Sequence, residues 1–241
     1  MNIERRQFVR AAMTGAVGLA LPRVFAVESA AAPVAPKPVK PEPTRGPRQD
    51  YDTVFAFVRA GHTDLPKVKQ MLSQEPKLIY AAWDWGGGDW ETALNGASHI
   101  GNRDIARYLI SQGARVDPFC AAMLGDRETI LALIKSHPAT VTAKSAHGYT
   151  LLYHVAISGD VVMAEHLKPH LPADADDYNQ ALSAAVRDGH LDLTKWLFEN
   201  GKVDPNMEDA IGKRPRTVAN EKGFKDVAEE LRRRGAVESG A

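Results

Sequence analysis

The chain has 241 residues, 44% of them hydrophobic and 25% charged, with 30 basic residues balancing 30 acidic ones. That is ample apolar material for a buried core, and a formally neutral chain lacks the basic excess that binds a phosphate backbone, so nucleic acid is excluded as a partner. Cys120 is the only cysteine, which excludes an internal disulfide.

The N-terminal segment reads as an address. Glu4 to Arg10 carries three arginines and precedes an apolar run, Ala11 to Leu21. This run is too short to span a membrane and has the size of a signal-peptide core. The paired Arg5 and Arg6, with Phe8 two positions on and Arg10 behind it, resemble a twin-arginine export signal. That resemblance implies a periplasmic bacterial protein whose signal, residues 1–32, is recognised through Arg5, Arg6 and Phe8. Small-x-small triplets compete for cleavage after Ala26 and among Ala30, Ala31 and Ala32. No cysteine lies nearby, so no lipid anchor and no stable membrane attachment are expected. Removing residues 1–26 leaves 26 basic and 29 acidic residues, a net charge of −3. Residues 33–50 form a linker, with six prolines between Pro33 and Pro47. In an extended polyproline conformation that stretch reaches roughly 45 Å.

From Tyr51 onward the chain is periodic. Glycines at 61, 101, 125, 159, 189 and 223 are each followed by an amphipathic helix pattern. A period near 33 residues means stacked units, none able to bury its apolar face alone. The sharpest unit runs from Thr92-Ala93-Leu94 through Gly101-Asn102, then Asp104-Ile105-Ala106-Arg107-Tyr108-Leu109-Ile110, and closes at Gly113-Ala114. Thr150-Leu151-Leu152-Tyr153 to Gly159 follows the pattern, as does Ala184 to Gly189 with Trp196-Leu197-Phe198 and Gly201 behind it. These units resemble ankyrin repeats. The resemblance implies an all-α solenoid of about six helix-turn-helix repeats with short β-hairpin fingers over residues 51–236, followed by a tail at 237–241. The opening Thr-Pro-Leu-His of that family is nowhere intact; Asn95, Tyr153 and Ser183 stand in the histidine's place.

The residues carry the same reading without the family. Ile105, Tyr108 and Leu109 recur at helical spacing while Arg103, Arg107 and Gln112 take the other side. Gly113, Gly201 and Gly235 follow apolar helices, where a left-handed residue is expected. Pro76 and Pro138 stop the equivalent helices of two other units. Stacked local contacts favour rapid folding, which suits export of a folded chain; export together with a folded partner is the other explanation.

Trp83-Asp84-Trp85-Gly86-Gly87-Gly88-Asp89-Trp90 stands out, because three of four tryptophans lie within eight residues. The segment falls where a finger is expected, and the step from Gly61 to Gly101 is long, so an enlarged finger accounts for both. Insertions of this kind mark binding faces, and tryptophans serve as interface anchors. Trp83, Asp84, Trp85, Asp89 and Trp90, with His147 and Tyr149, are therefore the candidate partner-binding residues. A clamp holding the finger to its neighbour explains the tryptophans equally well. Asp84 and Asp89 suit turn or cap chemistry better than cation binding.

No catalytic residue, cofactor or metal-ligating set is recognisable. His166 and His170 are separated by Pro169 and lack a third ligand, Gly86-Gly87-Gly88 lacks the Lys-Ser/Thr of a phosphate loop, and no nucleophile stands beside a base. His99, His154 and His190 sit where a repeat uses internal hydrogen bonds. Cys120 reads as a small buried thiol, and Arg232-Arg233-Arg234 as the end of the last helix. The function implied is a non-enzymatic module binding a folded periplasmic protein, such as an exported enzyme that it scaffolds or stabilises. The alternative is a small ligand or cell-wall glycan stacked on Trp83, Trp85 and Trp90. Partner identity and oligomeric state are left open.

Overall fold

A computed structural model describes residues 46–171, 175–209 and 211–240. The expected signal, with Arg5, Arg6 and Phe8, and the linker up to residue 45 lie outside the described residues. No helix among the described residues is long and apolar enough to cross a membrane.

The elements alternate between inner and outer helices. They are α1 (Tyr51–Thr63), α2 (Leu65–Gln74), the hairpin β1 (Ala82–Asp84) and β2 (Trp90–Thr92), α3 (Ala93–Ile100), α4 (Arg103–Ser111), α5 (Pro118–Leu124) and α6 (Arg127–Ser136). Then follow α7 (Leu151–Ser158), α8 (Val161–Leu167), α9 (Ala175–Arg187), α10 (Leu191–Asn200), α11 (Pro215–Glu221) and α12 (Lys225–Arg233). Odd-numbered helices pack in succession, α1 on α3, α3 on α5, and onward to α9 on α11, while α2 meets α4, and α6, α8, α10 and α12 form an outer row. This is an all-α repeat fold with little strand.

The glycine period has a local cause. Gly101, Gly125 and Gly159 each end an inner helix in the left-handed conformation, and the next residue, Asn102, Asp126 or Asp160, caps the outer helix by accepting a backbone N–H. Glycine tolerates the left-handed stop without steric cost, and a short polar side chain satisfies an orphan donor at the next start. Gly189 and Gly223 make the same turn, with φ of 77° and 79°. Gly61 does not, because it lies inside α1.

Burial follows position in the stack. On α7, which has inner neighbours on both sides, every residue from Leu151 to Ile157 is buried, whereas α4 buries only Ile105, Ala106 and Leu109. A helix surrounded by others has no face left for polar groups, while an outer helix keeps one. Cys120 is fully buried on α5, and burial pushes its thiol up to about 11, so it packs as an inert small residue.

Two expectations are corrected. Gly201 closes α10 in an extended conformation, φ −127°, because its missing side chain makes room for the Tyr178 ring. Among the described residues only Ala82 to Thr92 forms a two-stranded finger; the corresponding segment before α7 holds one isolated bridge, Lys144 to Thr150. Pro76 and Pro138 do follow the ends of α2 and α6, and each opens a short 3-10 turn.

Candidate functional site

The enlarged finger is built around Gly86, Gly87 and Gly88, whose φ values are all positive at 115°, 65° and 89°. Three successive residues of this kind are open to glycine alone, and they fold the hairpin tip so that the Trp85 N–H reaches the Asp89 carbonyl at 2.9 Å. Asp84 Oδ1 accepts the Gly86 N–H at 2.9 Å, the turn chemistry expected of it.

Strand register then sorts the side chains. Trp83 pairs with Glu91, and Asp84 with Trp90. Opposite residues of a ladder share a face, so Trp83 and Glu91 point one way and Trp90 the other. Trp83 packs on α1, with its ring centroid 4.2 Å from Tyr51 and 4.9 Å from Phe55. Trp85 sits edge-on to Phe55 and lies 5.7 Å from the His147 ring. Trp90 is 60% exposed and borders an open cleft of about 630 Å3, walled by Asp117, Phe119 and the 144–148 segment. The three tryptophans therefore divide: Trp83 packs the finger onto α1, Trp85 anchors it through its ring edge and indole while remaining 40% exposed, and Trp90 is presented most openly.

Beneath the clamp lies a cluster absent from the sequence expectations. Glu91 is fully buried, and its Oε2 accepts the Trp85 indole N–H at 2.8 Å. Its Oε1 faces three imidazole nitrogens: His99 Nε2 at 2.8 Å, His62 Nε2 at 3.4 Å and His147 Nε2 at 3.5 Å. His62 comes from the end of α1, Glu91 from β2, His99 from α3 and His147 from the 3-10 turn Ala146–Gly148. Gly96 on α3 makes the approach of His62 feasible, since a Cβ there would lie 2.8 Å from His62 Nδ1.

Two of the outer ring nitrogens have acceptors. His62 Nδ1 lies 3.2 Å from the carbonyls of Val58 and Arg59, and His147 Nδ1 lies 2.8 Å from Asp89 Oδ2. Carbonyl and carboxylate oxygens accept only, so Nδ1 carries the hydrogen in both rings, and in the neutral rings Nε2 presents a lone pair toward Glu91. Asp89 Oδ1 also accepts the His147 backbone N–H at 2.8 Å. That grip holds His147 at φ 60°, the one non-glycine residue with positive φ among those described.

Burial alone would raise the Glu91 carboxyl, but hydrogen bonds and charge from His62 and His99 outweigh it and hold the group at about 2. Burial opposes protonation of His62 as well, yet contact with Glu91 raises it above the ordinary histidine value. His99 is lowered by its deeper burial, which outweighs the raising contact with Glu91, with the charges of His62 and His147 adding to the lowering. Tyr149 stacks on His99 at 5.3 Å and on Tyr153 at 4.2 Å, and Tyr153 donates its hydroxyl to the His99 carbonyl at 2.9 Å.

Trp83, Trp85, Asp89, His147 and Tyr149 are thereby brought around one centre, while Asp84 and Trp90 lie outside it. His62 and Glu91 escaped the sequence expectations because no local spacing links them, and His99, read there as an internal hydrogen-bonding residue, makes its bond to Glu91 at 2.8 Å. The available signal was strand alternation, which places a carboxylate on the same buried face as Trp83 and so demands partners for it. His154 and His190 do bond internally, to the Thr150 carbonyl at 2.8 Å and the Ile157 carbonyl at 3.0 Å. Arg232 and Arg233 pair with Glu229, and Arg234 with Glu230, so the basic run is locally neutralised.

A family model described as ankyrin repeats (3 copies) matches residues 118–209. The match spans α5 to α10 and includes His147; His62, Glu91, His99 and the finger precede it. Repeats of this family generally mediate protein–protein interaction and are typically non-enzymatic binding modules.

Proposed function

We propose that this is an exported, periplasmic module that binds a folded protein partner through the face presenting Trp90, and that it acts by mass-action binding and not by chemistry. The helix pairs on either side of residues 118–209 are read as repeats of the same kind, about six in all across 51–236. The carrying observation is Trp90 itself, a large aromatic side chain 60% exposed on the rim of the 630 Å3 cleft, while Trp83 packs on α1 and Trp85, 40% exposed, is tied to Glu91 by its indole N–H. Exposed tryptophan beside a concavity is the residue type that anchors interfaces. Arg5, Arg6 and Phe8 support the twin-arginine route, and an exported enzyme scaffolded by the complex suits a pathway that carries folded proteins.

The experiment is recovery of the full chain, expressed with its own signal, from the periplasmic fraction, comparing co-purifying proteins for the wild type and Trp90→Ala. A partner lost from the folded variant supports the face; equal recovery removes it. Retention of the chain in the cytoplasm when Arg5 and Arg6 are both changed to lysine supports the route, and unchanged export removes it. The aromatic and polar walls of the cleft also favour a second reading, a glycan stacked on Trp90. That reading requires saturable tryptophan quenching by oligosaccharide with no protein partner recovered.

A further inference from the structure

We propose that His62, Glu91, His99 and His147 form a mononuclear binding site for a divalent first-row transition metal of the zinc class, with three imidazole nitrogens and one carboxylate oxygen as ligands. The four ligand atoms all lie within 4.8 Å of one another. Four of the six edges between them measure 2.8, 3.2, 3.4 and 3.5 Å. A tetrahedron with metal–ligand bonds of 2.0–2.1 Å has edges of about 3.3 Å, so His62, Glu91 and His99 stand close to the separation such an ion requires, with His147 Nε2 3.5 Å from Glu91 and within 4.8 Å of the other two. His147 is the ligand on the cleft side and the most exposed of the four at 31%.

The surroundings are those of a metal site. His62 and His147 hold their hydrogens on Nδ1 against backbone carbonyls and the Asp89 carboxylate, which turns both Nε2 lone pairs inward. Glu91 is oriented by the Trp85 indole, leaving Oε1 free to face the centre. Outer hydrogen bonds of this kind fix tautomer and ring orientation and raise ligand basicity. His62 Nε2 and His99 Nε2 stand 3.2 Å apart beside the Glu91 carboxylate; one N–H on His99 Nε2 satisfies its 2.8 Å contact to Oε1 but leaves the inward lone pairs of His62 and His147 facing an anionic oxygen without a cation. A single proton serves one such pair; a metal ion serves all four donors. Imidazole and carboxylate donors at tetrahedral spacing select zinc over the oxygen-seeking magnesium and calcium.

Two backbone features accompany the donor set. His147 is held in a strained left-handed conformation by both oxygens of Asp89, and strain of this kind persists where the surroundings over-determine it. Gly96 keeps the space that the His62 ring occupies. The ion would join α1, the finger, α3 and the 146–148 turn, fastening the segments that frame the cleft. This proposal is independent of the partner-binding one.

The test uses the untagged full chain, stripped with chelator and titrated with Zn2+ by calorimetry and with Co2+ by visible absorption. The expected result is one equivalent of Zn2+, the intense d–d bands of four-coordinate cobalt, and a rise in thermal midpoint on loading. His147→Gly, which tolerates the left-handed backbone, and His62→Ala should each lose the stoichiometric uptake and the thermal shift. Asp89→Asn should weaken binding by roughly 10–100-fold, the usual effect of removing an outer partner. His166→Ala, remote in sequence from every ligand, should bind as the wild type does. Absence of stoichiometric uptake by the wild type overturns the site and leaves a cluster that binds protons only; so does unchanged affinity in whichever of His147→Gly and His62→Ala is folded by circular dichroism.

Discussion

Asp89 grips His147 with both carboxylate oxygens, taking the backbone N–H on Oδ1 and the imidazole Nδ1–H on Oδ2, each at 2.8 Å. These residues are 58 positions apart, so the tip of the enlarged finger is tied to the turn that precedes α7. Charge-assisted bonds to a partly shielded carboxylate stabilise by about 1.5–3 kcal/mol each, and the two here share one acceptor group. Asp89→Ala should therefore destabilise the protein by about 2 kcal/mol, read as a lowered urea midpoint with an unchanged slope.

The division of labour among the tryptophans predicts opposite phenotypes. Trp83 fills space against Tyr51 and Phe55, so Trp83→Ala should cost about 1–3 kcal/mol, below the range for a fully buried tryptophan because Trp83 is half-buried. Trp90→Ala, on the other face of the hairpin, should alter stability by less than about 0.5 kcal/mol. Denaturant titration of the two variants checks this, and equal destabilisation would remove the distinction between clamp and presented residue.

Gly61 is a glycine of close approach. A Cβ there would stand 2.5 Å from the Ala93 carbonyl oxygen and 2.6 Å from its Cα, and both are backbone atoms unable to yield cheaply. Alanine in mid-helix ordinarily gains about 1 kcal/mol over glycine. At this position Gly61→Ala should instead destabilise by about 1–3 kcal/mol as α1 is pushed off α3. A raised melting temperature would contradict the packing.

His154 predicts an acid response. Burial first, with the nearby His99 and Arg187 adding to it and the Thr150 carbonyl opposing, lowers the imidazole to about 4 from an ordinary 6.5. The unfolded chain therefore takes up this proton before the folded one. The stability linked to neutral His154 is whole above pH 6.5, is lost as pH falls toward 4, and falls no further below that. The loss is on the order of 3 kcal/mol. Urea midpoints between pH 7 and pH 4.5 should decline more steeply for the wild type than for His154→Leu, and parallel slopes would refute the assignment.

The repeat was legible because its determinants are local. A glycine that stops one helix and a short polar residue that starts the next act within a few positions, and the apolar stripe of a helix such as Ile105, Tyr108 and Leu109 depends on spacing alone. The tryptophan finger was legible for the same reason, since glycines at a hairpin tip declare themselves in order. Gly201 misled because its conformation is set by the Tyr178 ring, a neighbour 23 positions earlier that no local pattern announces.

The sequence by itself determined an all-helical stack, the place of the finger and the burial of Cys120, all consequences of helical period, turn chemistry and polarity. Only the tertiary structure decided which tryptophan faces solvent and which residues meet beneath the finger. Hairpin register turned Glu91 inward, the stacking of α1 on α3 brought His62 beside His99, and the Asp89 grip carried His147 to the same point. Convergence of this kind depends on distances across the stack, and a one-dimensional chain records those distances only through the packing that its short-range rules produce.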